Sequence, residues 1–196
     1  LDACSNDGTA EELDQFADNP KVTVVKVDRS EWLKQQGKEK LSYFSNMAKS
    51  FLTTDYYINI QGDEILHENS YEAVRKAIAT GYEAFVVTRV NLWKDCFHQL
   101  DVPQNRKPCS TQIIRIAKTN YNSVDDAESI GAPAVNIFVN DIVIIHYGYV
   151  REKRKMVKKA KHMIQDVFLM SGDSKMEGME EWDWSRWFSE EDLKPL

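Results

Sequence analysis

Hydrophobic and polar positions alternate along this chain in two rhythms, and each rhythm marks a set of elements. The run Tyr56-Tyr57-Ile58-Asn59-Ile60 is aromatic and β-branched, which predicts a buried strand. Glu83 to Trp93 (Ala84, Phe85, Val86, Val87, Val90, Leu92), Thr111 to Ile116, and Asp141 to His146 (Ile142-Val143-Ile144-Ile145) predict further strands. Lys21 to Val27 alternates with period two, its core face at Val22, Val24 or Val25, and Val27. The second rhythm is helical. Thr9 to Ala17 forms a short helix that Asp7 or Thr9 can cap, with Glu11 and Glu12 in its first turn and Asn19-Pro20 ending it. Lys38 to Leu52 repeats apolar residues at helical spacing: Leu41, Phe44, Met47, Ala48, Phe51 and Leu52. Glu68 to Thr80 buries Tyr71, Val74, Ala77 and Ile78 and is closed by Gly81. Arg151 to Met170 is a basic helix with Met156, Ala160, Met163, Ile164, Val167 and Phe168 on its buried side.

The segments between these elements are polar. Lys94 to Pro108 reads as a long loop, and Asn120 to Pro133 as irregular and acidic. The tail, Gly172 to Leu196, sets Trp182, Trp184, Trp187 and Phe188 among acids, so docking onto the rest is expected. Helix–strand alternation in the first half predicts an α/β fold, a mostly parallel sheet flanked by helices. The longer connections of the second half predict a mixed, antiparallel portion. With no repeat, low-complexity tract or Pro/Gly linker, residues 1–196 read as one domain. The opening Leu1-Asp2-Ala3-Cys4-Ser5 resembles the end of a strand running into a turn. A preceding βα unit, on the order of 30 residues, is therefore expected.

Charge narrows the functional classes. The net charge is −6, which argues against a general nucleic-acid binder with its basic footprint. The three cysteines, Cys4, Cys96 and Cys109, are widely spaced and odd in number, a poor disulfide framework that points to a reducing, cytoplasmic compartment. Their simplest role is packing. No apolar run approaches the length of a membrane span.

Four constellations carry candidate chemistry. Asp63-Glu64 follows the Tyr56–Ile60 strand at once, where open α/β folds place their chemistry. Two carboxylates there can hold Mn²⁺ or Mg²⁺, whose usual setting is one or two carboxylates plus substrate phosphates. The competing reading is a helix N-terminus, where acids are favoured. Asp2 to Thr9 is a turn of small and acidic residues; Asp2 can accept hydrogen bonds from a base or ribose, and a capped turn is the alternative. His146 ends an apolar strand and precedes Gly148 and the run Arg151, Lys153, Arg154, Lys155, Lys158, Lys159. Imidazole can ligate Mn²⁺, and Arg151 and Lys155 can clamp phosphate, Arg151 ahead of Lys159 because it is nearer the strand end. A structural histidine and a solvated helix face are the alternatives. Asp125-Asp126-Ala127-Glu128 offers a general base, Asp126 first, with Asp125 and Glu128 behind it, or simply a solvated loop.

Three of these blocks carry a resemblance. Asp2, Ser5, Asp7, Gly8 and Thr9 match the Asp-Asp-Gly-Ser-Thr-Asp-Gly-Thr segment of the family 2 GT-A glycosyltransferases; Ala3, Cys4 and Asn6 depart from it. Asn46-Met47-Ala48 through Tyr57–Leu66 resembles that group's Asn…Ala…Tyr-Ile-Leu…Asp-x-Asp-Glu-Ile-Leu block, with Gln61 in place of the first Asp and Asp63 on the second. His146-Tyr147-Gly148-Tyr149-Val150-Arg151 is similar to a His-Tyr-Gly-Tyr-x-Arg block of some members. The resemblance spans roughly residues 1 to 160 in order. It implies a nucleotide-diphospho-sugar transferase, with a UDP-sugar first among its donors, that acts on a glycan, lipid or protein acceptor with inversion. It implies Asp63 and His146 as metal ligands, and Asp2, Asp7, Gln61, Arg151 and Lys155 around the nucleotide and diphosphate. It further implies a cytoplasmic enzyme, free or peripheral at the inner membrane face, and a second copy as one means of completing a shortened sheet. A non-catalytic binding or scaffolding protein is the competing class, favoured by Gln61. A nucleotidyltransferase would want a glycine-rich basic loop after its first strand.

Overall fold

The computed structural model describes residues 1–37, 39–100, 111–132, 137–162 and 193–196. Helix α1 covers Thr9–Asp14, α2 Arg29–Lys34, α3 Glu39–Lys49, α4 Tyr71–Ala79 and α5 Lys153–His162. The strands are β1 Tyr56–Ile58, β2 Glu64–Leu66, β3 Ala84–Trp93, β4 His98–Leu100, β5 Gln112–Lys118, β6 Ser123–Val124, β7 Ser129–Ile130, β8 Ile137–Tyr149 and β9 Leu193–Pro195.

The architecture overturns the expected mostly parallel sheet. The main sheet is mixed and mostly antiparallel: β1 on β5, β5 on β3, β2 on β8, β4 on β3 and β9 on β4 all run antiparallel. Among the described strands of the sheet, only β3 and β8 are parallel neighbours. The reason lies in the connections. A parallel neighbour needs a long crossover, and the helix-bearing crossover from β2 to β3 does not join adjacent strands, because β8 lies between them. Lys21 to Val27 is likewise not a strand. One parallel bridge, Asp2 with Lys26, is its only ladder contact among the described residues, and Val22 is exposed. Asp63-Glu64 does not open a helix: Glu64 starts β2, and the helical turn begins at Glu68. The segment Asn120–Pro133 is less irregular than expected, since β6 and β7 form a small antiparallel ladder within it. The long loop after β3 contains β4.

The core forms on both faces of the sheet. Val74 and Ala77 of α4 pack on Phe85, Val87, Ile113, Ile116, Ile142 and Ile144. Each large apolar side chain so buried is worth about 1.5–3 kcal/mol. On a second cluster, Tyr57, Ala84 and Ala117 meet Ile130. Tyr71, Phe51 and Leu52, expected inside, are exposed. Gly81 closes α4 as the sequence predicts: it takes φ +79°, and its N–H reaches the Ile78 carbonyl at 3.0 Å.

Helix α3 is held to the β6–β7 ladder by polar clasps. Asn46 Nδ2 donates to the Ser123 carbonyl at 3.0 Å, and the Ser123 N–H donates to Asn46 Oδ1 at 2.8 Å. Lys49 Nζ donates to the carbonyls of Thr119 and Tyr121, both at 2.8 Å. Of the Trp-rich tail, Leu193–Leu196 are described; β9 lies against β4. Residues 163–192 and Cys109 lie outside the described residues.

Candidate functional site

The alternation of β8 carries its buried face out of the core and into a polar site. Ile142 and Ile144 lie in the core, and His146 and Gly148 continue the same row of buried positions. Registry then sets the neighbours of His146. Glu64 of β2 lies opposite it on one side and Asn91 of β3 on the other. A row of polar side chains thus crosses three strands where the apolar core ends.

Asp63, one residue before β2, is tied to β8 by its backbone: the Tyr147 N–H donates to the Asp63 carbonyl at 2.8 Å. Its carboxylate faces His146, with Oδ2 3.6 Å from Nε2. His146 Nδ1 lies 2.8 Å from Asn91 Oδ1. An amide oxygen only accepts, so Nδ1 carries a proton and Nε2 is the atom turned to Asp63. Tyr149 packs edge-on against the His146 ring, centroids 5.2 Å apart, and restricts its tilt. Lys159 of α5 completes the group: its Nζ is 2.9 Å from Asp63 Oδ2 and 3.4 Å from the Gly148 carbonyl. Burial alone would push the Asp63 carboxyl up. The His146 imidazole and the Lys159 ammonium outweigh it and hold that carboxyl well below the usual carboxylate range.

Gly148 is required by space rather than by backbone conformation. A Cβ there would run into His146 Nε2 and Cε1 and come within 2.9 Å of Asp63 Oδ2. Gly148→Ala should therefore swing the imidazole away from Asp63. Any Mn²⁺ affinity that the Asp63–His146 pair has, read by titration calorimetry, should then fall about 10–100-fold, the range seen when the groups that orient metal ligands are lost. Overpacking should lower stability by about 1–3 kcal/mol.

Glu64, in the same row, is committed to a buried ion network. Its Oε1 accepts from Arg115 Nη2 at 2.6 Å and from Arg89 Nη1 at 3.5 Å, and its Oε2 accepts the Gln61 N–H at 3.1 Å. All three charged side chains are fully buried. Arg89 continues to Glu128, its Nη2 3.3 Å from Oε2, and Arg115 Nη1 donates to the Ala127 carbonyl at 2.6 Å. The turn Asp125–Glu128 is therefore pinned to the site, not a solvated loop. Asp125 and Ala127 hold φ of +53° and +61°, a conformation that side chains disfavour. The three donors converging on the Ala127 carbonyl, from Arg115, Asn59 and Gln61, fix it there.

The structure brings some sequence candidates together and not others. Asp63 and His146 are adjacent. Gln61 turns its amide to the Ala127 carbonyl at 3.4 Å. Asp126 is half-buried on the pinned turn, accepting the Glu128 N–H at 3.3 Å. Asp2 is buried and accepts from the Ser5 N–H at 3.3 Å, so its carboxylate serves its own turn. Asp7 is exposed and bonds Thr9; those bonds first, and Arg151 least, lower its carboxyl below the ordinary value. Arg151 and Lys155 are exposed, whereas Lys159 reaches Asp63. The sequence ranks Lys159 behind Arg151 and does not single out Asn91, Arg89 or Arg115. The last three had a signal: a charged or amide residue inside an otherwise apolar strand, as in Val87-Thr88-Arg89-Val90-Asn91-Leu92.

Asp63 and His146 are the side chains here able to ligate a cation. Among the described residues no group of three or more His, Cys, Asp or Glu gathers. Two protein ligands with the remaining positions left to phosphate and water fit a hard divalent ion. The bond from Nδ1 to Asn91 is the support that a metal-binding imidazole ordinarily has. Comparison with known proteins finds no matching family model and no matching curated relative.

Proposed function

We propose that the chain acts as a metal-dependent glycosyltransferase, taking a sugar from a nucleotide-diphospho-sugar, UDP-sugars first among them, to a glycan, lipid or protein acceptor. The observation that carries this reading is the Asp63–His146 pair, joined across β2 and β8 at 3.6 Å with Asn91 fixing the imidazole. Mn²⁺ or Mg²⁺ held there would neutralise the leaving diphosphate. The chain's own groups do the rest. Arg151, Lys155 and Lys159 on and before α5 supply positive charge for phosphate oxygens. Asp126, on a turn pinned by Arg89 and Arg115, is the candidate base for the acceptor hydroxyl, which is what an inverting transfer requires.

A backbone detail supports the resemblance noted from the sequence. Cys4 stands where the resembled segment has glycine, and it holds φ +54°, the left-handed conformation that favours glycine. The resemblance bears on the site and not on the sheet, whose pairing is mostly antiparallel. Cys4 and Cys96 are free, in keeping with a proposed cytoplasmic setting. No helix among the described residues is long and apolar enough to cross a membrane.

A second reading, a nucleotide-sugar binder without catalysis, is favoured by one observation: Lys159 already neutralises Asp63. A thermal-shift screen of nucleotide-sugars, each with Mn²⁺ and with EDTA, tests the first reading. A ligand at 100 times its Kd adds about 2.7 kcal/mol of stability. Stabilisation that needs Mn²⁺, followed by release of nucleoside diphosphate, supports the enzyme. Stabilisation in EDTA without turnover supports the binder, and no stabilisation by any donor contradicts both.

A further inference from the structure

We propose that Lys159 is the resident cation of the Asp63–His146 site: its ammonium holds Asp63 in the metal-free protein, yields that place to a divalent ion, and then takes the donor's diphosphate. The proposal rests on the metal-dependent reading above and adds an exchange to it.

The geometry places two cations in competition for one oxygen. Lys159 Nζ is 2.9 Å from Asp63 Oδ2, and the same oxygen faces His146 Nε2 at 3.6 Å. A divalent ion held by Asp63 and His146 would bring a second positive charge to the carboxylate that the ammonium already holds. Two positive charges on one carboxylate, mostly shielded from water, repel strongly. One must move, and the lysine can. Its ammonium ends a flexible four-carbon stem with rotatable donors, and its side chain is 28 % exposed, so a path to solvent exists.

Charge balance singles out the same residue. Glu64, next to Asp63, is committed to Arg115 and Arg89 and offers no charge to a newcomer. Asp63 is the carboxylate whose partner is exchangeable. Within the basic run of α5, Arg154, Lys155 and Lys158 are exposed, while Lys159 reaches in to Asp63 and to the Gly148 carbonyl at 3.4 Å. A displaced Lys159 stays tethered to α5 beside the metal position. That is where the diphosphate of a metal-bound donor must sit, and an ammonium is a ready phosphate partner.

Titration calorimetry of Mn²⁺ alone into nucleotide-free protein tests the exchange, using wild type, Lys159→Met and Lys159→Gln. Both variants should bind Mn²⁺ roughly two- to fivefold more tightly than wild type, the scale of a lost competing ion pair. Both should bind UDP in saturating Mn²⁺ at least about threefold more weakly, as expected for a lost charge-assisted phosphate contact. Mn²⁺ affinity that is unchanged or lower in both variants overturns the exchange and leaves the metal reading standing. UDP affinity that is unchanged overturns the transfer of Lys159 to the diphosphate. No Mn²⁺ binding by any of the three, with cooperative thermal melts showing all are folded, overturns the exchange and the metal reading together.

Discussion

Glu64→Ala is expected to lower folding stability by about 3–5 kcal/mol, measured by urea unfolding, the largest loss from any single substitution near the site. Glu64 Oε1 is the shared acceptor of Arg115 at 2.6 Å and Arg89 at 3.5 Å, and all three side chains are sealed from water. Removing it leaves two guanidinium groups facing each other in the interior. Arg89 keeps Glu128, which is 40 % exposed and a weaker counter-charge. Among the described residues, Arg115 keeps only the Ala127 carbonyl as a hydrogen-bond acceptor, and its Nε has no partner there. The loss should also free the Asp125–Glu128 turn, whose left-handed Ala127 is held by that carbonyl contact. Faster amide exchange at residues 125–130 would show this, and a Glu64→Ala variant as stable as wild type would contradict the network's role.

Asp63→Asn is expected to abolish Mn²⁺ binding and to lower nucleotide-sugar turnover by roughly 10³-fold or more. The metal's Lewis-acid contribution is several kcal/mol, and each 1.36 kcal/mol is about tenfold in rate. The fold should survive, because Asp63 is held by its backbone through the Tyr147 N–H. The environment of Asp63 has a pH signature of its own. The Asp63 carboxyl titrates below its ordinary value in the folded chain. Its ionised form therefore contributes stability that is fully present above the unfolded pKa of about 3.9 and is lost as pH falls further through the folded value. The stability difference between wild type and Asp63→Asn should thus hold steady near neutrality and shrink below about pH 4. A difference that grew on acidification would contradict the assigned environment.

The parts of this molecule that were legible in the sequence are those set by local pattern. The mostly apolar ten residues of β3, the alternation of β8 and the helical spacing of α4 with its closing Gly81 each determine their own element. Pairing was not legible, because it depends on which distant strand meets which. Nothing local in Glu64-Ile65-Leu66 says that these three residues lie antiparallel to Ile144–His146. Lys21–Val27 shows the reverse failure. Its alternation is strand-like, but its only described ladder partner is the short opening stretch at Asp2. At the site, the pairing of Asp63 with His146 follows from both ending apolar segments. Lys159 was hidden because one lysine among several in a basic run carries no mark of which points inward. The Arg89–Glu64–Arg115 network was hidden for another reason: apolar strand patterns draw attention away from the charged residues within them, although a buried charge is the rarer event.

The most direct test of the account is pulsed electron paramagnetic resonance of Mn²⁺ bound to the wild-type chain with a UDP-sugar. The account predicts nitrogen coupling from one imidazole, absent in His146→Ala, together with phosphorus coupling from the diphosphate on the same ion. Bound Mn²⁺ that shows phosphorus coupling but no His146 nitrogen, or no bound Mn²⁺ at all, would contradict a metal centre built on Asp63 and His146.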